Sequence, residues 1–427
     1  MELTWNSRLL RAAFLESWRS GPLSSRLAVH LVAALAVMEL LIWFHSGTLG
    51  PYSAVTNPRE LLGCGYTGNT DHGQYVGTYW MLKGLPANLW QWSVVLRRLV
   101  YPILAFPLSV LFGFTIGGFL TNLLIHAAAL VAWAWFLFVV QGRRAAVAGV
   151  WLLASWPGVF YWAGLPYPPA VIVPFSALSF MLVYSLSERR GLRHVFLACL
   201  GIGVMWQAYD SLMLFGVAAL GLLAWRDRRP LALLAGVAGF LLPAIATVFA
   251  LTQIFHVASL GNSNSNIYPT IADSYVRALR GEVDLQAWQS VVSPVFTTLV
   301  ANFFDSGFAV LPALFLVLLA VNSVFRLVRF HPAEVMVAGV FFAVFAFNNF
   351  APPYDGWDMR GEWIARLYQP VCVVYLFLAI RMVKAALERS RPVRLAVAVP
   401  VVFAISLDLA LSFGGIVANW SVTSQVY

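Results

Sequence analysis

Charge is what this chain has least of. Only 11% of its 427 residues are Asp, Glu, Lys or Arg, while 60% are hydrophobic and the mean hydropathy is +0.78. Soluble domains carry roughly 25% charged residues, so an ordinary water-facing globule is excluded. Cysteine is nearly absent as well. Cys64, Cys199 and Cys372 are odd in number and far apart, which fits neither a disulfide framework nor a metal-ligand spacing. The sequence has no Walker A loop, no GxGxxG after a strand, no HExxH and no GxSxG. Those absences remove the familiar nucleotide, zinc-protease and serine-hydrolase signatures. Internal repeats and low-complexity segments are also missing.

What the chain does have is apolar runs long enough to cross ~30 Å of hydrocarbon. They fall at 27–44, 118–140, 146–163, 169–186, 194–207, 211–225, 231–256, 307–325, 334–350, 369–383 and 395–417. They predict an all-α polytopic membrane protein of about 11 transmembrane helices, forming one domain over residues 1–427. A β-barrel would show short alternating segments instead. The 27–44 run follows Arg8, Arg11, Arg19 and Arg26. It is long for a signal peptide and reads as an uncleaved first span.

The basic residues set the orientation. With the N-terminus cytoplasmic, the outer face holds Arg59, Lys83, Arg97, Arg98, Arg277, Arg280, Arg360 and Arg366, and the other 19 of the 27 basic residues lie inside. The net charge of +9 therefore reports topology and implies no nucleic-acid partner. The count requires that 99–117 not cross. Pro102 and Pro107 interrupt that segment, and proline breaks helix. It is expected to lie in the outer interface or dip into it. Asp71, Asp210, Asp273, Glu282, Asp284, Asp305, Asp355, Asp358 and Glu362 all fall outside or at outer span ends. Membrane insertion does not require this enrichment, so the chemistry is expected on the outer face, in loops 45–117, 257–306 and 351–368. Within the second of these, residues 273–292 read as a short amphipathic surface helix.

The loop after the first span reads GCGYTGNTDHGQYVGTYWMLKG and then LRRLVYPILAFP. Asp71 stands there among His72, Gln74, Tyr75 and Tyr79. A carboxylate ionised at neutral pH can align an acceptor hydroxyl and take its proton. The plainer alternative is a solvated cap of a helix beginning near His72. Arg97 and Arg98 precede Tyr101-Pro102. Arginine forks grip phosphate oxygens, and long cationic side chains also anchor at headgroups without further function. The late loop NNFAPPYDGWDMRGEWIARLYQPV offers Arg366, at the entry of a span, and Arg360 as phosphate ligands. Either could instead pair with Asp358 or Glu362.

Asp210 in WQAYDS and Asp305 in NFFDSG sit at outer helix ends as expected N-caps. Together with Asp71 they could supply oxygens to a divalent cation if the fold converges them. No spacing establishes such a metal, and the cofactor stays unassigned. The turn WAGLPYPP at 162–169 either lines a cavity or is simply rigid. Glu39 and Asp408 fall inside spans, where an ionisable group is a functional hypothesis. His126 is expected to be a hydrogen-bonded packing residue.

An N-in first span, a long outer loop bearing an acid, a juxtamembrane Tyr-Pro segment and a late charged, aromatic outer loop together resemble the GT-C glycosyltransferases. The resemblance is architectural over the chain, and its motif content is confined to roughly 65–120. It implies a GT-C-like fold and transfer of a sugar from a polyprenyl-phosphate-linked donor to an acceptor hydroxyl on a glycan, lipid or protein. Asp71 would be the base, with inversion at the anomeric carbon. Arg366, with Arg360 or Arg97 and Arg98, would stabilise the departing phosphate, and His72, Tyr75 and Tyr101 would line the substrate site. Two departures stand out. Many members carry paired acids where Asp71 is followed by His72, and many have a second acid in the next outer loop where this chain has PYPP.

Competing readings are a flippase or transporter of lipid-linked saccharides, a non-catalytic envelope-assembly protein, and a polysaccharide ligase or polymerase. A transporter would need polar residues through the middle of several spans, and commonly internal repeats. Short loops suit a bacterial inner membrane, with membrane lipids as the surroundings.

Overall fold

The computed structural model describes residues 22–48, 77–85, 98–155, 171–188, 191–226, 229–256, 267–282, 310–349 and 369–423. Among them there is helix and no strand. The elements are α1 Pro22–Thr48, α2 Val100–Phe112, α3 Phe114–Gln141, α4 Arg143–Ala154, α5 Ile172–Glu188, α6 Leu192–Trp206, α7 Met213–Arg226, α8 Pro230–Phe249, α9 Ile267–Leu279, α10 Val310–Phe325, α11 Pro332–Asn349, α12 Cys372–Leu387 and α13 Arg391–Thr423. Every apolar segment named above overlaps one of them.

Two stretches, Ile116–Gln141 and Pro230–Ile254, are long and apolar enough to cross a membrane, each with a mean hydropathy of 2.3. Only 22% of the second is buried inside the bundle. Leu231, Leu234, Leu241, Leu242, Ile245 and Phe249 are exposed on it. Isolated exposed leucines are ordinary, but a contiguous apolar face of this length calls for an apolar neighbour.

The core lies where α3, α5 and α12 meet. Phe136 stacks on Phe377 at 5.3 Å, and Phe180 and Tyr184 meet Phe377 edge-on at 5.3 and 5.7 Å. Pairs of this kind add ~0.5–1.5 kcal/mol each beyond buried area. Trp133 joins the cluster and donates its indole N–H to the Gly149 carbonyl at 3.2 Å, which fixes α4 against α3. A Cβ on Gly149 would stand 2.0 Å from the Leu137 side chain. Helices α6 and α8 pack in parallel through their glycines. A Cβ on Gly203 would meet the Phe240 carbonyl at 2.4 Å, and one on Gly239 the Phe196 carbonyl at 2.4 Å.

Hydrogen bonds reveal which helix ends share a side. Arg226 at the end of α7 donates to the Ser187 carbonyl at the end of α5, 2.7 Å. Lys384 on α12 donates to the Gln141 carbonyl at the end of α3, 2.6 Å. His331, just before α11, lies 3.0 Å from Glu188. The ends of α3, α5, α7 and α12 and the start of α11 therefore lie together. This end also carries Arg143, Arg144, Arg193, Arg329 and Arg381, and is called the basic end below.

A buried ionic network closes it. Glu334 pairs with Arg381, and Arg381 also donates to the Arg329 carbonyl at 2.9 Å. The second Glu334 oxygen accepts the His331 backbone N–H at 2.7 Å, and Pro332 opens the helix. An acid three residues into a helix that reaches back to the cap N–H is half of a capping box, and proline suits the first helical position. The His331 ring stacks on Tyr184 at 4.0 Å.

The segment expected not to cross is a helix. At ~1.5 Å per residue, α2 is about 20 Å long, shorter than a ~30 Å hydrocarbon core. It turns back at Gly113, whose φ of 84° favours glycine. It then pairs antiparallel with the first half of α3. A Cβ on Gly117 would lie 2.3 Å from the Ser109 backbone, so the two helices touch almost without side chains between them. Helix α1 meets α4 through Trp151 and His30, 3.2 Å, and meets α3 through Glu39 and His126, 3.1 Å. His30 and Trp151 are nearer the basic end than Glu39 and His126. So α1 runs away from that end while α3 runs toward it. The end of α1 and the start of α3 accordingly lie on the same side of the bundle.

Candidate functional site

Three polar pairs occupy one layer toward the end opposite the arginines. The first joins α1 to α3: His126 Nδ1 faces Glu39 Oε1 at 3.1 Å, with an imidazole side chain that is fully buried. The second joins α2 to α3. The Tyr101 hydroxyl, itself fully buried, donates to Asn122 Oδ1 at 2.7 Å. The third joins the start of α2 to the α6–α7 turn. Arg98 Nη2 donates to Asp210 Oδ2 at 3.0 Å, and its guanidinium lies 4.7 Å from the Tyr209 ring centre. Val100 N–H donates to the Gln207 carbonyl at 3.2 Å beside it.

The layer is recessed. Asn122 is eight residues into α3, which at ~1.5 Å per residue puts it about 12 Å below the hairpin tip. The α6–α7 turn is tied to the base of α2 and so stops deeper still, about 20 Å below the tip. Its parent helix α6 has 15 residues, about 22 Å. The arrangement is a shelf, formed by the Asp210 turn, beside a taller wall, formed by α2 and α3.

The structure brings Arg98, Tyr101 and Asp210 to this shelf. Arg98 does not extend to a headgroup as an anchoring side chain would: it is only 5% exposed and engaged by a carboxylate. Asp210 does not cap a helix as expected. Tyr209 occupies the cap position without a side-chain cap bond, and Asp210 is the first residue of the short 3₁₀ turn Asp210–Leu212. Its carboxylate faces the Arg98 guanidinium. Asp71, His72, Tyr75, Arg97, Asp305, Arg360 and Arg366 lie outside the described residues.

Sequence reading missed Gln207 and Ser211. Both are buried, at 2% and 0% exposure, and among the described residues Gln207 Nε2 and Ser211 Oγ meet no hydrogen-bond partner. His126 Nε2 is likewise buried without one. The signal was thin: WQAYDS places two polar residues and an acid at a span end, a pattern that solvation explains equally well. The pairing of Glu39 with His126 was also invisible, since 87 residues separate them.

A divalent cation does not fit the described part of the suggested trio. Asp210 already faces a guanidinium, which would repel a cation there. Among the described residues no group of three or more His, Cys, Asp or Glu could hold a metal ion. The chain matches no protein-family model and no curated relative.

Proposed function

We propose that this protein is an integral membrane glycosyltransferase with a GT-C-like arrangement of about 11 spans. It would transfer a sugar from a polyprenyl-phosphate donor to an acceptor hydroxyl at the outer face of a bacterial inner membrane. The observation that carries the reading is the antiparallel α1–α3 pair. It supports an excursion, 49–113, that contains Asp71 and returns to the end opposite the arginines. The recessed polar shelf beside the α2–α3 wall suits a substrate with one part in hydrocarbon and another in water.

In this reading the acceptor O–H gives its proton to the Asp71 carboxylate as the oxygen attacks the anomeric carbon. The bond from that carbon to the phosphate oxygen breaks with inversion, and polyprenyl phosphate leaves. Arg366 and Arg360 stabilise the negative charge growing on the leaving group, a role in which prealigned cations are most effective. His72, Tyr75 and Arg97 contribute contacts along the same loop.

The test is purified full-length protein with polyprenyl-phosphate sugars and a panel of acceptors. Wild type should form glycoside and Asp71→Asn should lose at least a hundredfold in rate. Equal transfer by both proteins would refute the assigned base.

A flippase of lipid-linked saccharides is the second reading, favoured by the Glu39–His126 pair, half-buried at Glu39 and buried at His126, because ionisable groups within spans often mark transport pathways. It predicts movement of an intact donor across vesicles with no new glycosidic bond.

A further inference from the structure

We infer that α9 is an interfacial anchor: it rests at the outer boundary of the bilayer, with Val276 and Leu279 dipped among the lipid chains and its charged face in water. The placement depends on the bundle spanning a membrane and not on the transferase chemistry.

The faces of α9 divide three ways. Ser274, Tyr275 and Ala278 form one, Ala272, Val276 and Leu279 a second, and Asp273, Arg277 and Arg280 a third. At 3.6 residues per turn their centres stand about 100–140° apart. The first face turns to the protein. Ser274 is buried, and Tyr275 stacks on Phe347 at 5.1 Å while its hydroxyl donates to the Phe347 carbonyl at 2.9 Å. The second face is apolar and bare: Val276 is 41% exposed and Leu279 88%. The third is charged and exposed. A helix on a water-facing surface needs only a buried face and a wet one. A bare apolar face between the two calls for an apolar neighbour that itself borders water, which is what a bilayer interface offers.

The depth agrees. Helix α11 starts at the basic end with Pro332 and runs to Asn349, so Phe347 stands ~22 Å along it at ~1.5 Å per residue. With the Glu334 and His331 network at the inner edge of a ~30 Å hydrocarbon core, α9 is fastened roughly 8 Å short of the outer edge. Interfacial helices sink their apolar face ~5–10 Å into that boundary. Among the described residues α9 runs alongside no other helix. It is fastened at Tyr275 and is not a further member of the bundle.

The end of the helix balances its charge. Gly281 N–H donates to the Ala278 carbonyl and Glu282 N–H to the Arg277 carbonyl, both at 3.0 Å, around a Gly281 φ of 74°. This glycine cap folds Glu282 back to 3.6 Å from Arg277. Asp273 and Glu282 then match Arg277 and Arg280, and the wet face carries no net charge. Polybasic anchors hold to anionic headgroups, whereas α9 holds by apolar contact and is indifferent to lipid charge. An apolar strip this narrow falls well short of the ~1,200 Å² that a stable protein interface buries, so a bilayer fits it and a second protein does not.

The experiment uses the full chain in phosphatidylcholine vesicles. In a Cys64→Ser background, with Cys199 and Cys372 buried, Val276→Cys, Leu279→Cys and Asp273→Cys are made singly and labelled with a fluorophore. Quenching by iodide, present on both sides of the membrane, is compared with quenching by phosphatidylcholine carrying a nitroxide high on its acyl chain. The lipid-to-iodide quenching ratio should be at least about threefold higher for Val276→Cys and Leu279→Cys than for Asp273→Cys. All three side chains are exposed, so the labels disturb no packing, and the first two report one face independently. Adding phosphatidylglycerol or salt should leave the ratios unchanged. Equal ratios at all three positions would overturn the inference, because α9 would then stand in water. Quenching by neither agent at Val276→Cys and Leu279→Cys would overturn it in favour of cover by protein. Ratios that rise with phosphatidylglycerol and fall with salt would overturn the uncharged mode of anchoring. None of these readings involves sugar transfer, so the Asp71 test stands or falls separately.

Discussion

Removing Arg381 should be far more damaging than removing its partner. The Glu334 side chain has no solvent exposure, whereas that of Arg381 is 22% exposed. In Arg381→Met, Glu334 keeps only the His331 N–H and is otherwise a buried charge without a counter-ion. Stranding one partner of a buried pair costs ~3–5 kcal/mol. In Glu334→Gln, Arg381 keeps the Arg329 carbonyl and some water, and the amide can still accept from His331. The loss is then nearer one charge-assisted hydrogen bond, ~1.5–3 kcal/mol. The double variant Glu334→Gln/Arg381→Met strands no charge and should be more stable than the sum of the two single losses by about 2 kcal/mol. Unfolding of the purified protein in mixed micelles, titrated with a denaturing detergent, measures all four proteins. If Glu334→Gln is as damaging as Arg381→Met, or the double variant equals the sum, the assignment of a desolvated acid at this site is wrong.

Acidification should weaken the basic end. Burial holds the His331 imidazole below its ordinary value, against the raising influence of Glu188. The folded state then binds fewer protons than the unfolded chain. Stability is full above about pH 6.5 and declines as pH falls from there through the folded-state value. The drop in unfolding midpoint between pH 7.5 and pH 5.5 should be smaller in His331→Gln. Gly117→Ala places a methyl 2.3 Å from the Ser109 backbone and should cost ~1–3 kcal/mol or more by forcing the hairpin apart. A neutral midpoint would show that α2 does not sit on α3 as described. Tyr101→Phe removes the buried 2.7 Å hydrogen bond to Asn122 and should cost ~0.5–1.5 kcal/mol in the same assay.

The helical plan was legible because apolar runs and arginine placement are local properties of the chain. Arg226, Arg381 and Lys384 do gather at one end, and 100–112 is a helix turned back on its neighbour. The pairings were not legible. Glu334 reads as an ordinary helix-start acid, and nothing in its window points to an arginine 47 residues later. Arg98 and Asp210 were both singled out, in different roles, because sequence cannot announce that residues 112 apart come into contact. Buried donors such as those of Ser211 and Gln207 carry no periodic signal at all. Their burial follows from the α6–α7 turn stopping short, a consequence of helix length relative to its neighbours.

The network at the basic end also fixes an order of events during synthesis. Glu188 is made 143 residues before His331, and Glu334 is made 47 residues before Arg381. Each acid must therefore wait, while later helices are still being delivered, for the partner it will bond. Their position at helix termini lets them wait in contact with water. The bundle can lock only once α12 has arrived, so a chain released before that point would carry its acids unpaired and be conspicuous to quality-control proteases.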